Sequence, residues 1–349
     1  MKSMAVFSYT PDVEVMLRHH SLLNEYTIGT VVTFREGVAA AKKRSGAPVT
    51  ITDDIAAISS EDVLILMDNE NGALTSKYKA CAERALEQGV EILCSNALAQ
   101  SLELDAGQFT PIEKVFPATG IYGEPLKDIP VPVIGVMGMG SHCSKLETML
   151  YLKQGVAEAG YHPLGICANT TGPLYGMYSP PDFLWENDLS FSDKVLKCNR
   201  YFYELCQAEK PDALLLELPG GIMPFGRFGY NHFSELALLL SSAAAIDIGI
   251  LNVYFGQPMD PATQEKLRNC CRFKFNAPLY GFCIARQAVS PAESEQEFEF
   301  YHLDDDYIVK HQRVDSAAPY PVLHISDDAQ MKAGIRAIVR ALEGNAAAI

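Results

Sequence analysis

Residues 132–148 read Pro-Val-Ile-Gly-Val-Met-Gly-Met-Gly-Ser-His-Cys-Ser-Lys-Leu-Glu-Thr. This stretch limits what the chain can fold into more than any other. Ile134 to Met137 is a short apolar run and predicts a buried strand. Gly138 and Gly140 allow a tight turn and close backbone approach. Lys145 then opens a helical pattern, with Leu146, Met149 and Leu150 on one face and Leu152 and Val156 beside it. Gly160 is its predicted stop. A strand that feeds a glycine turn and a helix start aims unpaired N–H groups and the positive end of the helix dipole at one spot. A lysine there adds a mobile positive charge. That is the physical recipe of a phosphate-binding loop. Its predicted cradle is Gly138, Met139, Gly140, Ser141, His142, Cys143, Ser144, Lys145 and Leu146.

The common spacing for such a loop, G-x-x-x-x-G-K-[ST], does not fit. Counted back from Lys145, its glycines fall on Met139 and Ser144. A spacing one residue longer does fit: Gly138, five residues, then Ser144 and Lys145. This resembles the G-T-D-T-x-V-G-K-T loop of dethiobiotin synthetase and its SIMIBI-class relatives. Against that pattern Ser144 replaces the glycine before the lysine. Leu146 replaces the threonine whose hydroxyl would bind Mg²⁺, leaving Glu147 or Thr148 to stand in. The dinucleotide fingerprint G-x-G-x-x-G also fails, because Cys143 occupies the third glycine position. The following strand ends Cys167-Ala168-Asn169-Thr170, without the acidic residue that would hold a ribose.

A length of 349 residues makes two domains the default. The net charge of −15 argues against nucleic acid or an anionic membrane as a general partner. No apolar run reaches the roughly 18 residues of a membrane span. Met1-Lys2-Ser3-Met4-Ala5-Val6-Phe7 runs straight into a strand pattern without signal-peptide character, so a cytoplasmic location is expected. Nine cysteines are scattered with no C-x-x-C pair, which reads as reduced, partly buried thiols. Cys143 stands apart: beside a helix N-terminus its thiol pKa would fall. The simpler reading is a bystander.

The chain reads as α/β throughout. Candidate strands at Met4–Ser8, Thr27–Phe34, Val49–Asp53, Val63–Asp68 and Val90–Ser95 alternate with helical patterns, best at Lys77–Gln88. They predict a Rossmann-like parallel sheet. Two acidic clusters follow strands, Asp53-Asp54 and Asp68-Asn69-Glu70-Asn71, where open sheets bind ligands; a solvated loop is the alternative. Arg18-His19-His20 is either a helix surface or an anion contact. Residues 115–131, punctuated by Pro117, Gly120, Gly123, Pro125 and Pro130, read as a linker. The boundary is placed near Asp128, giving domains 1–128 and 129–349. The second is predicted to be a P-loop NTPase-like domain of the SIMIBI type with a mostly parallel sheet.

Within the second domain, residues 169–185 form a long loop rich in aromatic and turn residues, of a length that is often functional. Asp212–Glu217 is a buried strand followed by Leu218-Pro219-Gly220-Gly221. Dethiobiotin synthetase carries a similar strand ending E-G-A-G-G. By that resemblance Glu217 is a Mg²⁺ or water-positioning ligand facing the phosphates. A carboxylate at this edge, beside the lysine loop, is well placed for the metal. Arg227 is a candidate contact for a phosphate or a carboxylate. Asp304-Asp305-Asp306 reads as a solvated turn. Helices are predicted at Ser192–Glu209, His232–Ala245, Ala262–Cys270 and Ala329–Leu342.

Four segments together resemble the clostridial peptide maturation system proteins, a family associated with Cys-rich, bacteriocin-like precursor peptides and radical-SAM enzymes. They are Leu17–Tyr26, Gly138–Glu147, Tyr175–Phe183 and Pro219–Phe225. The family's loop reads approximately G-L-G-E-N-T-N-K-F-E, so Gly138, Gly140, Lys145 and Glu147 fall on shared positions. The resemblances imply ATP or GTP with Mg²⁺ as cofactors. They imply phosphoryl activation of a carboxylate or amine, on a precursor peptide or a small molecule. Lys145 and Glu217 would be the catalytic pair and Glu147 and Glu217 the metal ligands. A non-catalytic scaffold for a precursor peptide or its radical-SAM enzyme is the second reading, favoured by Leu146. A metal or cofactor chaperone using His142, Cys143 and Cys167 is the third. SIMIBI relatives that close over nucleotide as dimers imply a homodimer.

Overall fold

The computed structural model describes residues 1–45, 48–68, 75–118, 125–224, 231–291, 298–311 and 319–346. It divides into two compact units, Met1–Lys114 with Asn169–Ser179, and Val115–Ala168 with Pro180–Ile349.

The first unit runs β1 (Lys2–Phe7), α1 (Pro11–Arg18), β2 (Tyr26–Val32), α2 (Val38–Ser45), β3 (Thr50–Thr52), β4 (Val63–Leu66), α3 (Thr75–Gln88), β5 (Glu91–Cys94), α4 (Asn96–Leu102) and β6 (Thr110–Pro111). The strands are all parallel in the order β3-β2-β1-β4-β5-β6. That is the order of a Rossmann sheet. Met4 to Phe7 and Val63 to Leu66 are buried on both faces. Such continuous apolar runs mark central parallel strands. The first acidic cluster is structural: Asp54 caps a short 3₁₀ turn by accepting from the Ala56 N–H at 2.9 Å. Asp68 accepts from Ser95 Oγ at 2.5 Å. Asn69, Glu70 and Asn71 lie outside the described residues. Arg18 closes α1 and pairs with Glu14 one turn back at 3.4 Å, a helix-surface role.

The second unit runs β7 (Val133–Gly138), α5 (Lys145–Glu158), β8 (Pro163–Ile166), α6 (Phe191–Glu209), β9 (Ala213–Glu217), α7 (Glu235–Ala243), β10 (Ile248–Val253), α8 (Pro261–Phe275) and β11 (Leu279–Ile284). A hairpin of β12 (Gln287–Pro291) and β13 (Phe298–His302) follows, then α9 (Asp305–His311), β14 (Val322–His324) and α10 (Asp328–Ala346). Its six-stranded sheet is parallel, in the order β14-β11-β10-β7-β9-β8. The chain is therefore α/β, with two parallel six-stranded sheets, as its alternating pattern predicts. β7 is the central strand, flanked by β9 and β10. Val136 pairs with Glu217 and Gly138 with Asn252. This register sets Gly138 level with Asn252 and places Glu217 two residues back on the other side of β7, near the same edge of the sheet.

Two boundaries differ from the sequence expectation. Two described residues of the expected linker, Phe116 and Lys127, are bonded to α6. Asn199 on α6 accepts from the Lys127 N–H at 2.7 Å and donates to the Lys127 carbonyl at 2.8 Å, and Tyr201 Oη accepts from the Phe116 N–H at 3.2 Å. The division consequently falls between Lys114 and Val115. Residues 169–179 belong to the first unit, where the Asn24 N–H donates to the Leu174 carbonyl and Asn169 donates to Asp12. Asp305 and Asp306 open α9 rather than a turn, and Asp305 pairs with Arg286. Among the described residues, no helix is long and apolar enough to cross a membrane.

Candidate functional site

Six residues carry the chain from β7 into α5, and the loop they form is tied down from several sides. A Cβ at Gly138 would lie 3.0 Å from the Gly140 carbonyl oxygen and 3.1 Å from Lys145 Cδ, so the lysine stem packs over a position with no side chain. Ser144, standing where the P-loop pattern has glycine, keeps left-handed backbone with φ +51. Its hydroxyl holds that conformation: Oγ donates to Gln287 Oε1 at 2.7 Å and accepts from the Arg286 N–H at 3.1 Å. The end of β10 holds the rest. The Met139 N–H donates to the Asn252 carbonyl at 2.9 Å, and Asn252 Nδ2 donates to the Cys143 carbonyl at 2.8 Å. Tyr254 Oη donates to the Ser141 carbonyl.

The fixed loop leaves donors available. The Ser144, Lys145 and Leu146 N–H groups have no acceptor among the described residues. They open a helix of 14 residues, whose dipole favours an anion at this end. Ser141 and His142 form the exposed tip, and the His142 ring lies 5.0 Å from Phe300 on β13.

Lys145 and Glu217 converge beside the loop. Lys145 Nζ lies 3.4 Å from Glu217 Oε1, and both residues are buried, at 8% and 4% exposure. The ammonium also donates to the Leu218 carbonyl at 2.9 Å and the Gly220 carbonyl at 3.0 Å. Glu217 Oε2 accepts from the Ala168 N–H and from Cys167 Sγ, each at 2.9 Å. Gly221 lies directly against the loop. A Cβ there would collide with the Met139 carbonyl and sit 2.7 Å from Gly140 Cα.

The other predicted residues are placed as follows. Glu147 does not join Glu217. It faces Arg286, which donates to its two oxygens through Nε at 3.1 Å and Nη2 at 3.4 Å. The Thr148 hydroxyl points into the core, donating to the Ser144 carbonyl and accepting from Asn252 Nδ2. Leu146 is buried and brings no oxygen. Cys143 is also buried, and burial pushes its thiol up to about 12 despite the nearby Lys145 ammonium and the Met139 and Gly140 N–H groups. The lowering expected from the helix N-terminus is overridden by desolvation. Cys167 meets Glu217 rather than His142 and Cys143. Among the described residues, no group of three His, Cys, Asp or Glu side chains is arranged to hold a metal ion. Arg227 lies outside the described residues.

Sequence reading missed Asn252, Arg286, Gln287 and the part played by Cys167. One signal was available: a polar Asn252 inside the apolar run Ile248–Val253 needs a buried partner.

No family model matches this chain, and no curated protein matches it. Among solved structures it is similar to a DUF1611 family protein from Anabaena variabilis. The TM-score is 0.60 at 16% identity, over 82% of this chain and 88% of that one. That likeness shows the α/β fold. A pseudomurein peptide ligase type C from Methanothermus fervidus aligns at a TM-score of 0.26 and 11% identity, over 72% of this chain and 38% of that one.

Proposed function

We propose that this protein binds ATP or GTP with Mg²⁺ at the β7–α5 loop and uses it to activate a carboxylate or amine of a peptide. The observation that carries the reading is the convergence of Lys145 and Glu217, 3.4 Å apart, beside a helix start with open N–H donors. The donor set suits phosphate: backbone N–H groups give fixed hydrogen bonds and Lys145 gives charge. Glu217 suits the metal, because a carboxylate takes Mg²⁺ either directly or through a water. Bound Mg²⁺ would neutralise charge on the phosphates. Lys145 would stabilise the transferred phosphoryl group as it passes to the acceptor and the nucleoside diphosphate leaves. The peptide as substrate rests on the resemblance of four segments to peptide maturation proteins.

A scaffold that binds a peptide or a modifying enzyme without turnover is the second reading. Two observations favour it: Leu146 supplies no hydroxyl, and Lys145 is already satisfied by three acceptors within the protein.

Calorimetric titration of ATP and GTP, with and without Mg²⁺, on the wild type, Lys145→Ala and Lys145→Arg separates the two. Micromolar binding that needs Mg²⁺ and is lost in both variants supports the nucleotide reading. Lys145→Arg keeps a cation beside Glu217, and urea titration of both variants separates a loss of binding from a loss of fold. No binding up to about a millimolar, weaker than roughly −4 kcal/mol, favours the scaffold.

A further inference from the structure

The two oxygens of Glu217 have different tasks, and a residue on a neighbouring strand end separates them. Oε2 is saturated. It accepts from the Ala168 N–H and from the Cys167 thiol, both at 2.9 Å, while the Cys167 side chain is buried at 1% exposure. Oε1 has one neighbour among the described residues, the Lys145 ammonium, at the long distance of 3.4 Å. A carboxylate oxygen accepts two hydrogen bonds, so Oε1 keeps capacity for a further cation or a water. The donors on Oε2 fix which oxygen that is. A free glutamate rotates about its last bond and exchanges its oxygens. Here rotation would break two hydrogen bonds in a buried setting, one from a backbone N–H and one from a thiol.

The geometry points to Cys167 as the positioning residue that turns Glu217 Oε1 toward the metal and its water. This rests on the nucleotide reading above. The Ala168 N–H belongs to the backbone and every residue but proline keeps it, so Cys167 is the side-chain part of the clamp. A thiol suits the place. It is small and apolar enough for the packed end of β8, yet it retains one donor. Loss of a partner that orients a metal ligand typically costs about tenfold to a hundredfold in metal affinity.

The test measures nucleotide affinity with and without Mg²⁺ for the wild type, Cys167→Ala and Cys167→Ser. The ratio of the two affinities within one variant is independent of how much of that protein is active. Cys167→Ala is expected to shrink the Mg²⁺-dependent gain by about tenfold or more, with metal-free affinity unchanged. Cys167→Ser is expected to restore most of it, because a hydroxyl also donates. Infrared difference spectra add a readout that needs no nucleotide. The S–H stretch lost in Cys167→Ala should lie below that of the other buried thiols, and Glu217→Gln should raise it. A wild type that binds with Mg²⁺ alongside a Cys167→Ala of unchanged gain overturns the role of Cys167 alone. So does an S–H band that ignores Glu217→Gln. A wild type that binds no nucleotide overturns both this role and the reading beneath it.

Discussion

Glu147 is the residue on which the sequence and the structure part most sharply, and one substitution decides between them. As a metal ligand it would face the nucleotide. In the structure it is 1% exposed and accepts from Arg286 through Nε at 3.1 Å and Nη2 at 3.4 Å. Arg286 is 3% exposed, donates to the Ile325 carbonyl at 3.3 Å and pairs with Asp305 at its outer end. The network joins α5, the corner between β11 and β12, the end of β14 and α9. Removing one member of a buried pair costs about 3–5 kcal/mol, because the partner's charge is left uncompensated. Glu147→Gln keeps the shape and leaves Arg286 its contacts with Ile325 and Asp305, so the lower end, about 3 kcal/mol, is expected. That corresponds to a fall in melting temperature of roughly 6 °C or more for a unit of this size. In Glu147→Leu with Arg286→Met neither charge is stranded, and the double variant should cost less than the sum of the two singles. Urea titration of the four proteins measures the coupling. The Mg²⁺-dependent gain in nucleotide affinity should be the same in Glu147→Gln as in the wild type. A Glu147→Gln protein within about 0.5 kcal/mol of wild type that has lost its Mg²⁺ dependence would refute the argument and return Glu147 to the metal.

Other expectations follow from single contacts. Gly221→Ala forces a Cβ onto the Met139 carbonyl and to 2.7 Å from Gly140 Cα, and should cost about 1–3 kcal/mol in urea unfolding and weaken anion binding at the loop. Ser144→Gly loses the bonds to Gln287 and Arg286 but relieves a left-handed residue, whereas Ser144→Ala loses the bonds and keeps the strain. The alanine variant should therefore be the less stable by about 1 kcal/mol on the same assay. His324 is 1% exposed, and burial lowers its pKa from the usual 6.5 while Asp327 partly opposes the shift. The unfolded chain then binds the proton more readily, so this contribution is complete above about pH 6.5 and is lost as pH falls through the range below it. His324→Leu should accordingly flatten the fall in stability between about pH 7 and 5, followed by urea titration at each pH. Of the nine cysteines only Cys270 is not buried, so an aromatic disulfide reagent should label one thiol quickly in the native protein and none in Cys270→Ser.

The parts of this molecule that were legible in sequence are those that local pattern controls. Apolar runs such as Val133–Gly138 and Ala213–Leu216 are strands because burial on both faces favours apolar residues throughout. The helices predicted at Ser192–Glu209 and Ala262–Cys270 form as α6 and α8. What was not legible depends on partners far away in the chain. The Arg286 partner on α5 is 139 residues distant, and the Gln287 contact with Ser144 spans 143. Nothing local marks either residue. The hairpin of β12 and β13 escaped notice because His302 and the exposed Tyr301 and Phe300 break the alternation that a strand in a buried sheet would show. Residues 115–131 read as a linker because proline erases periodicity. Within that span, Phe116 and Lys127 are held by Tyr201 and Asn199 on α6, through bonds to backbone rather than to side chains.

The two departures of the loop from the P-loop pattern have unequal consequences. Ser144 gives up a glycine yet keeps glycine's backbone, because the corner after β11 supplies an acceptor and a donor for its hydroxyl. The shape of the cradle is thereby transferred from the freedom of one residue to a contact between distant segments. Anion binding at this loop, as proposed, would then be sensitive to Gln287 and to the placement of Arg286. Leu146 has no such replacement: Thr148 is turned inward and Glu147 is held by Arg286. Among the described residues, Glu217 is the carboxylate left beside the loop for a metal bound with a phosphate, so the weight of such a site would fall on it. A single ligand of this kind tolerates little rotation, and the donors on Oε2 are the feature that limits it. Gln287→Ala and Cys167→Ala should consequently act on different quantities. The first should weaken metal-free nucleotide binding by loosening the cradle. The second should reduce only the gain that Mg²⁺ adds. If both variants moved both quantities together, cradle and carboxylate would be one cooperative unit, and the division of labour argued from these contacts would be wrong.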